Sequence, residues 1–88
     1  MPEVTVTIIH DVGLHARPAS MFVQTAAKFG SDIVVTHGEN TVNAKSILAV
    51  LTLGAHRGAE ITIKAEGDDA DESLQALEQL VLDNFGEK

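Results

Sequence analysis

Apolar positions along the 88-residue chain change their period several times, and each change marks an element. Val4, Val6 and Ile8 alternate with Thr5 and Thr7, the two-residue period of a strand with one buried face. From Ala19 the spacing becomes three and four, through Phe22, Val23, Ala26 and Phe29 to a stop at Gly30, which predicts an amphipathic helix. Pro18 fits its first turn, where the missing N–H would have no intrahelical partner anyway, so the helix starts near Ala16 or Arg17. Gly13 gives the preceding loop its bend.

Further on, 33–36 and 41–43 read as two short strands, and His37-Gly38-Glu39-Asn40 between them suits a tight antiparallel connection. Ser46 is placed to cap a short apolar helix running through Leu53 to Gly54. Ile61, Ile63 and Ala65 then alternate as a fourth strand. Asp69 opens the last helix as its cap, with Glu72 three residues on for a capping box and Leu74, Leu77 and Val81 along one face. The order βαββαβα predicts an α+β fold with its helices on one face of an antiparallel sheet. A chain of this length with 44% hydrophobic residues suits one domain, residues 1–88, around a small core.

Composition narrows the function classes. A net charge of −7, with six basic residues scattered along the chain, argues against nucleic acid as a partner. There is no cysteine, no apolar run near membrane-span length and no basic-then-apolar leader, so a cytoplasmic chain without membrane insertion is expected. His10, His37 and His56 lie apart, without the ligand spacing or carboxylate partners of a zinc site. They read as surface histidines, and no metal is expected. The acidic stretch 66–72 has an ordinary account in helix-start preference and solubility.

The chemistry concentrates in Leu14-His15-Ala16-Arg17-Pro18-Ala19. Here a nucleophile, His15, precedes the first helical turn and a permanent cation, Arg17, lies within it. Ala16 has no side-chain oxygen to cap the helix, so the first-turn N–H groups point toward whatever His15 carries. A phosphoryl group there would meet the N–H groups of Ala16 and Arg17 and the forked guanidinium, the dipole contributing about 0.3–1 kcal/mol. So shallow a well suits a residue that takes up a group and hands it on. The pair alone also fits a histidine with no chemistry.

Gly13-Leu14-His15-Ala16-Arg17-Pro18-Ala19 resembles the active-site signature of the HPr family, the histidine-containing phosphocarriers of the bacterial sugar phosphotransferase system. Thr41-Val42-Asn43-Ala44-Lys45-Ser46-Ile47-Leu48, followed by Leu51-Thr52-Leu53-Gly54, resembles the family's second signature, and Gly58-Ala59-Glu60-Ile61-Thr62-Ile63 the strand beyond it. The resemblance implies an open-faced β-sandwich of four strands and three helices. It implies that phospho-Enzyme I, charged from phosphoenolpyruvate, phosphorylates His15 at Nδ1, and that the group passes to an enzyme IIA domain for sugar uptake. No metal or organic cofactor is implied, and the chain is expected to act as a monomeric, stoichiometric intermediate rather than a stand-alone enzyme.

The same resemblance puts a partner surface at Ala16, Arg17, Ser20, Gln24, Ile47, Leu48, Leu51 and Thr52. It also makes Ser46 the target of HPr kinase/phosphorylase, as in many Gram-positive bacteria. From the residues themselves, Ile47, Leu48 and Leu51 are too many apolar side chains for one short helix to bury, so some should face solvent, with Leu51 fitting either side. Lys28 and Lys45 are expected to steer acidic partners, while Gln24 and Ala27 stand where some relatives carry lysines, which reduces steering. Two alternatives stay open: a related carrier of a nitrogen-linked or dihydroxyacetone-kinase branch, and a small anion-binding hydrolase such as an acylphosphatase, whose Arg-bearing loop pattern is absent here.

Overall fold

The computed structural model describes residues 2–11 and 13–86. Of the domain expected over 1–88, Met1, Val12, Glu87 and Lys88 lie outside the described residues. The elements run β1 (Glu3–Thr7), α1 (Ala16–Ala26), β2 (Asp32–His37), β3 (Asn40–Asn43), α2 (Ile47–Leu51), β4 (Glu60–Glu66), α3 (Ala70–Leu82) and a closing 3₁₀ turn (Asn84–Gly86). The strands form one antiparallel sheet in the order β1-β4-β2-β3, and the three helices cover one face of it.

Period-two patterning divides the sheet's faces. Val6, Ile33, Val35, Ile61, Ile63 and Ala65 point into the core and meet Ala19, Phe22 and Ala26 of α1, with Leu74, Leu77 and Val81 of α3. On the other face the register sets Thr5, Thr62, Thr36 and Thr41 side by side across all four strands. Hydroxyl bonds link Thr5 to Thr62 at 3.0 Å and Thr36 to Thr41 at 2.8 Å.

Several boundaries differ from the sequence expectation. Ile8 lies past the end of β1, yet it keeps pairing by donating to the Ala59 carbonyl at 2.8 Å and accepting from Gly58 at 2.7 Å. The β2–β3 connection is two residues rather than four, because His37 pairs with Asn40 and Gly38 takes φ +62 in the turn. Helix α1 ends at Ala26 instead of Gly30: Lys28 and Phe29 bond back three residues to Thr25 and Ala26, tightening the last turn while Phe29 still packs on the core. For the same reason α2 stops at Leu51, and Leu53 donates to Val50.

Asp69 precedes α3 as expected but makes no side-chain cap, so the capping box with Glu72 is not formed. Its carboxylate turns to the loop between α1 and β2, accepting from the N–H groups of Gly30 and Ser31, each at 2.9 Å, and from the Ser31 hydroxyl. That hydroxyl first, then the Gly30 and Ser31 N–H groups, hold the Asp69 carboxyl below the usual carboxylate range against an opposing desolvation. Among the described residues, no helix is long and apolar enough to cross a membrane.

Candidate functional site at the start of helix α1

The loop from Ile8 to His15 is held by backbone bonds at both ends. Gly13 donates to the His10 carbonyl at 3.0 Å, His15 donates to Gly13 at 3.0 Å, and Leu14 donates to the Ala55 carbonyl at 2.9 Å. Leu14 is buried and anchors the loop to the core. Gly13 sits at φ +74 against the backbone of the α2–β4 connection, and a Cβ there would lie 2.7 Å from the His56 Cα and closer still to the Ala55 carbonyl oxygen.

His15 is the N-cap of α1. Its backbone is extended (φ −88, ψ −170), its carbonyl accepts from Ala19 at 2.9 Å, and its side chain caps nothing. Ala16 and Arg17 form the first turn beyond it, all three being exposed, while Pro18 is buried. No acidic side chain lies in that turn. The outcome is an exposed imidazole at the positive end of an 11-residue helix, with a guanidinium-bearing residue two positions on. Such an arrangement can receive an anionic group on the ring and surround it with donors.

The expected partner residues lie on two helices that pack directly on one another, α1 and α2. Ser20 and Gln24 are joined on α1 by a 3.0 Å bond from the Gln24 amide to the Ser20 hydroxyl. On α2, Val50 is fully buried and fixes the helix, which turns Ile47, Leu48 and Leu51 outward, Leu48 being 74% exposed. Leu51 therefore sits on the surface side. Thr52 is exposed and returns its hydroxyl to the Ala49 carbonyl at 2.6 Å. Ser46 is the N-cap of α2, its hydroxyl accepting a long 3.4 Å bond from Ala49.

Two expectations need correction. Lys45 keeps its charge but is half-buried, its ammonium donating to the Phe29 carbonyl at 2.8 Å beyond the end of α1. His37 is half-buried, its Nδ1 donating to the Leu53 carbonyl at 3.0 Å. His10, read from the sequence as a surface histidine, is buried, and its ring centroid lies 5.0 Å from that of His15. Its place two residues after Ile8, in step with the inward alternation of Val4, Val6 and Ile8, carries that burial in the sequence. Among the described residues, no group of three or more His, Asp or Glu is arranged to hold a metal ion.

The family model described as "PTS HPr component phosphorylation site" matches residues 2–83. The crystal structure of HPr-C-His from Thermoanaerobacter tengcongensis is 49% identical, covers 100% of this chain and 99% of its own, and superposes with a TM-score of 0.96. That of the phosphocarrier protein HPr from Bacillus anthracis str. Ames is 44% identical, covering 91% and 95%, with a TM-score of 0.87. The catabolite repression protein Crh of Bacillus subtilis, solved as a swapped, intertwined dimer, is 38% identical over 96% and 97%, with a TM-score of 0.76. With the family's phosphorylation-site model spanning nearly the whole fold, this chain belongs to the HPr family of phosphocarriers of the phosphotransferase system.

Proposed function

We propose that His15 is the residue of this chain that carries the phosphoryl group, taking it from phospho-Enzyme I and passing it to an enzyme IIA domain for sugar uptake. The supporting observation is the exposed His15 ring, left uncommitted to capping at the N-terminus of α1. A ring nitrogen, Nδ1 in the family, attacks phosphorus in line. The new N–P bond forms as the bond to the donor histidine breaks, and the donor ring leaves with that electron pair. The N–H groups of Ala16 and Arg17 and the Arg17 guanidinium meet the phosphoryl oxygens, so catalysis consists of positioning and charge stabilisation, with no cofactor on the carrier.

Both partners dock on the apolar rim of Ile47, Leu48 and Leu51, flanked by Ala16, Arg17, Ser20, Gln24 and Thr52. Phosphorylation of Ser46 by HPr kinase/phosphorylase would add about 1.5–2 negative charges to this rim and slow exchange with Enzyme I. A single chain carries His15 and the whole rim, which supports a monomer as the transfer unit, working in the cytoplasm beside phosphoenolpyruvate. The test supplies labelled phosphoenolpyruvate, Enzyme I and a IIA domain. Label should appear on this chain, chase onto the IIA domain and be lost in His15→Ala. Label retained by His15→Ala, or no uptake from several Enzyme I homologues, would refute the assignment.

A further inference from the structure

His15 lies outside the helical ladder, where the preceding turn does not restrict χ1, and its side chain is exposed. Among the described residues, that side chain makes no hydrogen bond or ion pair, and its ring contact is with His10. The two rings are inclined at 55° with centroids 5.0 Å apart, within the range of tilted aromatic packing.

His10 is itself clamped. It is 8% exposed, its carbonyl accepts from Gly13, and its ring meets the edge of Phe85 at 6.1 Å and 72°. Phe85 is buried, and it reaches this place through two consecutive left-handed residues, Asn84 at φ +55 and Phe85 at φ +56. Non-glycine residues hold that conformation where the surroundings over-determine it. Here the packing runs from the C-terminal turn through Phe85 and His10 to His15.

We propose that His10 is a positioning residue for phosphoryl transfer: its buried ring, backed by Phe85, forms a wall that holds the His15 imidazole in one rotamer. The proposal rests on His15 being the phosphorylated residue. Without the wall the ring spreads over about three staggered χ1 wells, so the productive fraction falls by up to about threefold. The loss belongs in the maximal rate of uptake and not in the half-saturating concentration of donor, since the rim on α1 and α2 is untouched.

The test compares the full chain with His10→Ala and His10→Phe by single-turnover uptake from phospho-Enzyme I, by NMR couplings that report the His15 χ1, and by thermal melting. His10→Ala should transfer about threefold more slowly at saturation, with half-saturation unchanged and an averaged His15 χ1, while His10→Phe restores both rate and rotamer. A His10→Ala chain with unchanged rate and χ1, or a His10→Phe chain no better than His10→Ala, would overturn the proposal. Should His10→Ala fail to fold, the unsubstituted chain still decides it, because an averaged His15 χ1 there overturns the wall. Absence of any phosphoryl uptake on His15 would instead refute the functional reading, leaving the χ1 measurement to judge the packing.

Discussion

Leu14 donates its backbone N–H to the Ala55 carbonyl at 2.9 Å, so the loop that carries His15 is tied to the segment joining α2 to β4. Gly13 makes this approach possible, having no side chain to collide with Ala55 and His56 and adopting φ +74 at no steric cost. Gly13→Ala should therefore destabilise by about 2–4 kcal/mol, combining left-handed strain with a backbone clash. Its melting temperature should fall by roughly 10 °C or more, and phosphoryl uptake should slow. Gly30→Ala, with open space around its Cβ and no positive φ, is the control and should melt near the parent. Equal melting of the two variants would contradict the role given to Gly13.

Asp69 predicts an acid transition. The Ser31 hydroxyl and the Gly30 N–H hold its folded carboxyl below the usual carboxylate range, so the stability it contributes is fully present above about pH 4 and is lost as pH falls through the lowered folded value. In Asp69→Asn that component is absent, giving a lower melting temperature at pH 7 and a smaller further loss below pH 4. Parallel pH profiles for parent and variant, measured by urea unfolding, would contradict the linkage.

Much of this architecture is legible in the sequence because periodicity reports burial directly. Val6, Ile33, Val35, Ile61 and Ile63 alternate in the chain and point inward in the sheet, and Leu74, Leu77 and Val81 do the same at helical spacing. The illegible parts depend on contacts between distant segments. A local rule makes Asp69 a helix cap, but Gly67 lies against Ser31 and brings a different set of donors to its carboxylate. Likewise Lys45 reads as a surface cation until α1 is seen to end with the Phe29 carbonyl within its reach. The contact of His10 with Phe85 depends on the C-terminal turn, which nothing local to residue 10 announces.

On α2, exposure separates docking from folding. Leu48→Asp should leave stability within about 0.5 kcal/mol of the parent, as exposed substitutions do, while raising the half-saturating concentration of Enzyme I about tenfold. Val50→Ala, at a fully buried position, should lose about 1–3 kcal/mol of stability and show weaker kinetic effects once folded. If Leu48→Asp binds Enzyme I normally in titration calorimetry, the rim is not the docking surface.

Ser46 divides in a similar way. Its cap bond is long at 3.4 Å, so Ser46→Ala should cost less than about 1 kcal/mol. Ser46→Asp keeps an acceptor at the start of α2 and adds a charge beside the rim, so the fold should persist while uptake from Enzyme I slows. Unchanged kinetics for Ser46→Asp would remove the electrostatic basis for regulation at this residue.

The most direct test of the central claim is the intact mass of the chain after incubation with phosphoenolpyruvate and Enzyme I, read before and after acid treatment. The account predicts one added phosphoryl group, labile in acid, stable in alkali and absent from His15→Ala. An unmodified mass in the parent chain, or an acid-stable adduct that persists in His15→Ala, would contradict it.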